Sequence, residues 1–274
     1  MTADSRRAAK SADWMLGAAA DALPSGRPLL LERSGESSFV VLGGRGGSGD
    51  APTPFAVRIH LDAIKSSEAE FASAITEAAR SARTVVAWSG TLADEPFGDD
   101  PRTWLAAGHA AFARFCSHAT ATVNELGVRL LFEPHARHVL SDVSSTRSAL
   151  RTLDGLPFGV ALSPTSLLES SMLDHLDDHL TRIFEGLGPI ADLLILDDIA
   201  RSSPARSRDA RPGAESIADD TAESLPTSCP LGTGALPHAH LLALIDAHVP
   251  IHVPIAIGTA SAPDPISARA WIAG

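Results

Sequence analysis

The 274-residue sequence has no tyrosine, three methionines and two cysteines. Two thiols, Cys116 and Cys229, are too few for the disulfide framework of a secreted domain. No stretch approaches the roughly 20 apolar residues of a membrane span. The N-terminus carries Arg6, Arg7 and Lys10, but Asp13 and Asp21 interrupt the Ala-rich run behind them and break any signal-peptide core. A cytoplasmic protein without a membrane partner is expected. Basic side chains are also few, 22 against 33 acidic, for a formal charge of −11. Nucleic-acid binding depends on Lys and Arg neutralising phosphates, so no nucleic-acid partner is expected. No Gly-x-Ser-x-Gly elbow, Walker loop or His-Glu-x-x-His occurs, so those classes lose their best evidence. Oligomeric state leaves no mark in the sequence.

What is present is rhythm. Residues 8–23 read as a helix with Trp14, Met15, Leu16, Ala19 and Leu23 at helical spacing, ended by Pro24-Ser25-Gly26. Leu29 to Leu31 and Phe39 to Leu42 read as a candidate hairpin, and 43–50 as a Gly-rich loop. From Phe55 onward, apolar strands alternate with helical stretches. Strands are expected at 55–60, 84–88, 128–132, 158–162, 192–196 and 251–257. Between them, Ser67 and Glu70 make a capping box ahead of Phe71 and Ile75. Asp100-Pro101 opens a long helix whose apolar face runs from Trp104 to Leu126, ended by Gly127. Further helices fall near 143–153, from Ser171 and Asp174 to Leu187, and over 236–247, while 201–228 reads as a flexible loop insertion without periodicity. Strands apolar on both faces suit a parallel sheet covered by helices. The expected fold is α/β, a (β/α)8 TIM-type barrel or a doubly wound sheet. Eight candidate strands favour the barrel, in one domain over 1–274, irregular in the N-terminal third where the first two strands lack a helix between them.

Barrel active sites lie at the C-terminal strand ends. That rule selects His60 and Asp62, Ser89, Glu133 and His135, Ser163 and Ser166, and Asp197 and Asp198. Asp197 and Asp198 are adjacent on a strand end, so they point in opposite directions and at most one faces the mouth. His60 faces either the mouth or a covering helix.

The run Gly127-Val-Arg-Leu-Leu-Phe-Glu133-Pro-His135 resembles the Glu-bearing strand of the xylose isomerase-like barrels, the sugar phosphate isomerase/epimerase superfamily that includes endonuclease IV. Phe158 to Ser166, Asp192 to Asp198 and Pro230-Leu-Gly232-Thr-Gly234 resemble its following motifs in order, so the resemblance covers about 55–258. It implies a divalent cation (Mn, Zn or Mg) held by carboxylates and a His, and proton transfer beside the carbonyl of a sugar or polyol derivative. Glu133 matches the metal-ligand and catalytic Glu. Ser163 stands where the family has Asp. Ser166, or Leu194 or Ile195 on the next strand, stands where it has His, and the last strand ends in Ile257-Gly258 rather than Glu. Two readings follow. Either a reduced metal site survives from Glu133 and Asp198 (or Asp197) with His135 or His60, or no metal binds and Glu133 is a lone acid/base or a relic. His60, His135, Ser163 and Asp197 are the candidate substrate contacts. The corresponding functions are an isomerase/epimerase and a catalytically silent barrel that binds a ligand or a protein.

Other signals read blandly. Gly44 to Gly49 matches Gly-x-Gly-x-x-Gly, but Asp50-Ala-Pro-Thr-Pro follows, which cannot open the helix a dinucleotide site needs. His175 and His179 lie opposite an apolar stripe. His109, His118, His238 and His240 need no functional explanation, and Cys116 suits a buried helix face.

Overall fold

Strands without polar alternation must be covered on both sides, and a closed barrel wrapped by helices does this. The computed structural model describes residues 29–33, 38–41, 54–200 and 225–258. The expected helix over 8–23, the Gly-rich loop and most of the 201–228 insertion lie outside the described residues.

Ten strands are described: β1 (Leu29–Arg33), β2 (Ser38–Val41), β3 (Pro54–Asp62), β4 (Thr84–Trp88), β5 (Arg129–Glu133), β6 (Phe158–Leu162), β7 (Leu193–Leu196), β8 (Asp198–Ile199), β9 (Ser228–Cys229) and β10 (Ile255–Ile257). Eight close the barrel in the order β1-β10-β7-β6-β5-β4-β3-β2. From β3 through β10 to β1 every neighbouring pair is parallel; β2 runs antiparallel to both β1 and β3. The hairpin expected from the short link between the first two strands is therefore present, and it makes the N-terminal third depart from strict strand–helix repetition. A four-residue link cannot hold the crossover helix that parallel neighbours require.

Five helices cover the described barrel: α1 (Glu68–Ala79), α2 (Ala106–Leu126), α3 (Val143–Thr152), α4 (Leu176–Leu187) and α5 (His238–His248). The capping box opens α1, with Ser67 and Glu70 satisfying each other's backbone N–H. Asp100 and Pro101 start a 3₁₀ turn, Pro101–Trp104, and α2 begins beyond the extended Leu105. Ser171 and Asp174 likewise lie in a 3₁₀ segment, Ser170–His175, that precedes α4. The last strand is shorter than expected, since Ile251 to Val253 form a turn ahead of it. Ser228 belongs to β9 rather than to the insertion, pairing antiparallel with Ile199.

Two large apolar clusters fill the space between strands and helices, one around Phe184 and Leu180, the other around Phe132, Phe112 and Ile75. A third is the barrel interior itself: Leu30, Ala56, Val86, Leu131, Ala161, Leu193, Ile195 and Ala256. Small alanines on three of these strands keep the lumen narrow and dry. The interior residues also fix the strand parity, because side chains alternate along each strand.

Candidate functional site at the barrel mouth

Two residues beyond the interior layer, the same parity brings Arg58, Trp88, Glu133, Ser163, Asp197 and Gly258 to the C-terminal mouth. Glu133 lies opposite Trp88 in register. Its Oε2 is 2.9 Å from Arg58 Nη2, and the two side chains are 7% and 15% exposed. The approach is that of an ion pair rather than an aligned hydrogen bond. Ser166 Oγ lies 3.3 Å from Glu133 Oε1 and 2.9 Å from Ser163 Oγ, and Ser163 in turn is 3.3 Å from Thr165 Oγ1. Glu133, Arg58, Ser166 and Ser163 thus form one connected polar group in a largely buried setting.

The remaining expected residues separate. Asp198 is buried at the outer side of the strand end, and both its oxygens are taken by backbone N–H groups. Oδ1 accepts from Ile199 at 2.8 Å and Leu236 at 3.1 Å; Oδ2 accepts from Gly232 at 3.0 Å and Gly234 at 2.9 Å. The turn around Gly234 must come this close, since a Cβ there would sit 2.2 Å from Asp198 Oδ1. Asp198, expected beside Glu133 at a metal, directs its lone pairs to the Pro230-to-Leu236 loop. Asp197, on the opposite parity, faces β10, where a Cβ on Gly258 would lie 2.0 Å from its Oδ1. A larger residue at 258, such as the Glu of the resembled family, has no room while Asp197 holds this position.

His60 is exposed at the rim, with its ring 5.8 Å from that of Trp88. His135 belongs to an aromatic group above the mouth. Its ring lies 4.6 Å from Phe97 and 4.8 Å from His138, and Phe97 stacks on His138 at 5.4 Å. His135 Nδ1 accepts the Arg137 N–H at 3.1 Å, and His138 Nε2 lies 2.8 Å from the Pro96 carbonyl, which fixes its proton on Nε2. Burial pushes His135 down to about 3, with His138 and Arg137 adding to the effect, and burial likewise lowers His138 against the opposing pull of Pro96. Both rings are therefore neutral.

Arg137, 5% exposed, ties this loop to its neighbours through Asp99 at 2.8 Å and Glu169 at 3.3 Å. Backbone bonds from Ala136 to Ser166 and from Val139 to Gly90 complete the tie. Asp62 does the same on the other side, accepting from Ile64 and Thr91.

Sequence reasoning did not single out Arg58, Trp88, Phe97, Arg137 or His138. Arg58 sits inside a strand read as uniformly apolar. A charged residue on a strand covered on both faces is itself the signal that could have found it.

Among the described residues no three His, Cys, Asp or Glu side chains converge on a point that could hold a metal ion. Glu133 faces a guanidinium, Asp198 is held by backbone, and Ser163 offers a hydroxyl, a poor cation ligand beside a carboxylate. The described donor set does not fit a divalent cation. A cavity of about 760 Å³ lies elsewhere, lined by Leu173, His175, Asp177 and Pro237 among others. Cys116 is buried in α2, its thiol pushed up to about 12 by burial, as suits a core residue. His118 pairs with Glu68 at 2.7 Å on the exposed outer surface. No described helix is long and apolar enough to cross a membrane.

The chain has the fold of the xylose isomerase-like TIM barrels. No family model and no curated protein sequence matches it. Among solved structures, the probable 3-DHS dehydratase AsbF from Bacillus anthracis, involved in petrobactin synthesis, superposes with a TM-score of 0.53 at 12% identity, over 80% of this chain and 74% of that one. A D-psicose 3-epimerase gives 0.51 at 11% identity, over 80% and 78%. A xylose isomerase-like TIM barrel protein from Mycobacterium smegmatis, in complex with magnesium, gives 0.51 at 14% identity, over 80% and 71%. Identities this low speak to fold.

Proposed function

We propose that this protein is a cytoplasmic barrel that binds a small sugar- or polyol-like molecule at its C-terminal mouth without turning it over. The observation that carries the reading is the buried Arg58–Glu133 pair. A base must present its lone pairs to the substrate, and a guanidinium beside a carboxylate favours the charged form and weakens it as a proton acceptor. Glu133, Ser166 and Ser163 remain suited to hydrogen bonding with hydroxyl groups. His60 and Trp88 at the rim, and His135 with Phe97 above it, offer ring faces to the apolar side of such a ligand. Among the described residues Glu133 and Asp197 outnumber Arg58 at the mouth, which favours an uncharged ligand over a phosphate ester.

A second reading, proton transfer beside a carbonyl with Glu133 as acid/base, draws support from its place at a strand end in a buried mouth with Ser166 at 3.3 Å. The sugar epimerases among the fold relatives point the same way.

Calorimetric titration against a panel of ketoses, aldoses and polyols tests the binding site. Saturable binding is expected for at least one neutral member, weakened about tenfold or more in Glu133→Ala. Binding that survives that substitution unchanged, or no binding across the panel, overturns the assignment of the mouth.

A further inference from the structure

We propose that Arg58 is the built-in cation of the mouth: its guanidinium holds the place beside Glu133 that a divalent ion would otherwise take, and it keeps such ions out. The inference rests on the mouth being the functional site, but its test reads metal affinity alone and so fails separately.

Three observations support it. Arg58 Nη2 lies 2.9 Å from Glu133 Oε2, with both side chains largely buried. A cation bound to that carboxylate would sit about 2.0–2.2 Å from an oxygen, hence a few ångströms from the guanidinium, where two positive charges repel with little water between them. Second, Arg58 shares the lumen-facing parity of Ala56, so the strand aims it at the barrel axis rather than at solvent. Third, the positions that would supply further ligands have changed in a consistent sense. Ser163 is turned to Ser166 and Thr165, Gly258 is filled by Asp197, and Asp198 binds backbone. Arg58 supplies Glu133 with a counter-charge from a side chain. Arginine suits this role because it stays protonated even where desolvated and presents a planar fork to a carboxylate.

The test is Mn²⁺ titration of the full chain, followed by electron paramagnetic resonance. The variants are Arg58→Lys, Arg58→Gln, Arg58→Met, Glu133→Gln and the double Arg58→Gln/Glu133→Gln. Wild type and Arg58→Lys are expected to show no stoichiometric binding below about 1 mM, while Arg58→Gln and Arg58→Met bind at least about tenfold more tightly. The gain disappears in the double variant. Should the neutral variants be unfolded alone, because the buried Glu133 loses the guanidinium beside it, Mn²⁺ is expected to restore their fold and raise their Tm. Stoichiometric Mn²⁺ on wild type that is lost in Glu133→Gln overturns the proposal. So does the absence of any gain, or of any rescue, in both neutral variants.

Discussion

Asp197 and Asp198 show how much one residue's parity decides. Leu193 and Ile195 face the lumen and Leu194 and Leu196 face the helices, so Asp197 continues toward the mouth and Asp198 away from it. That the two diverge follows from the sequence, because adjacent residues on a strand must. Which one turns inward does not, since all four preceding residues are apolar. Asp198 is then a keystone of the loop carrying Gly232 and Gly234, with four backbone N–H donors on its carboxylate. Replacing a charged, buried acceptor strands donors that water cannot reach. Asp198→Ala is expected to lower stability by about 3 kcal/mol in urea unfolding, without changing Mn²⁺ uptake. A loss under about 0.5 kcal/mol, typical of a surface change, would contradict the anchoring role.

At the scale of elements, the expected strands and helices from β3 to β10 are found in order, because each has a strong local cause. The Ser67–Glu70 box starts α1, Gly127 ends α2, and runs such as Leu193 to Leu196 suit a strand buried on both sides. Besides the start of β10, the boundaries that moved are those where a 3₁₀ turn precedes a helix, before α2 and before α4. Local signals at Asp100 and Ser171 cannot tell a 3₁₀ start from an α start. The mouth was legible in half. Glu133, Ser163 and Ser166 carry a motif; Arg58 carries none and meets Glu133 only because β3 and β5 pair on either side of β4.

The loop from Pro134 to Leu140 gives an element-scale prediction. Its two histidines are held neutral by burial, with Arg137 facing His135, and Asp62 and Lys65 facing His138. Above about pH 6.5 the rings are neutral in both folded and unfolded chains. Below it the unfolded chain takes up protons that the folded chain refuses until its own lower pKa, about 3 for His135. Stability therefore falls as pH drops from about 6.5, by up to about 1.4 kcal/mol per pH unit for each ring. Urea unfolding at several pH values measures this, and the double variant His135→Gln/His138→Gln is expected to flatten the slope between pH 6.5 and 5. An unchanged slope would mean the loop opens freely and the rings are hydrated.

For the whole molecule, the barrel frame and the ties between its loops hold the mouth in place. Loops after β3, β4, β5 and β6 are tied by Asp62, Arg137 and backbone bonds, so the mouth is preorganised for a ligand that fits it. A metal-assisted proton transfer needs converging donors, and the described donors are committed elsewhere. Binding without turnover is the consequence we propose, and it separates this protein's proposed role from those of epimerases with the same fold.

Incubation of the protein in D₂O with each ligand that binds, with and without added Mn²⁺, Mg²⁺ or Zn²⁺, reads that consequence by nuclear magnetic resonance. The account predicts that no C–H next to a carbonyl exchanges faster than in buffer containing Glu133→Gln protein. Deuterium entering such a position with the wild type, and failing to enter with Glu133→Gln, would contradict it and establish Glu133 as a working acid/base.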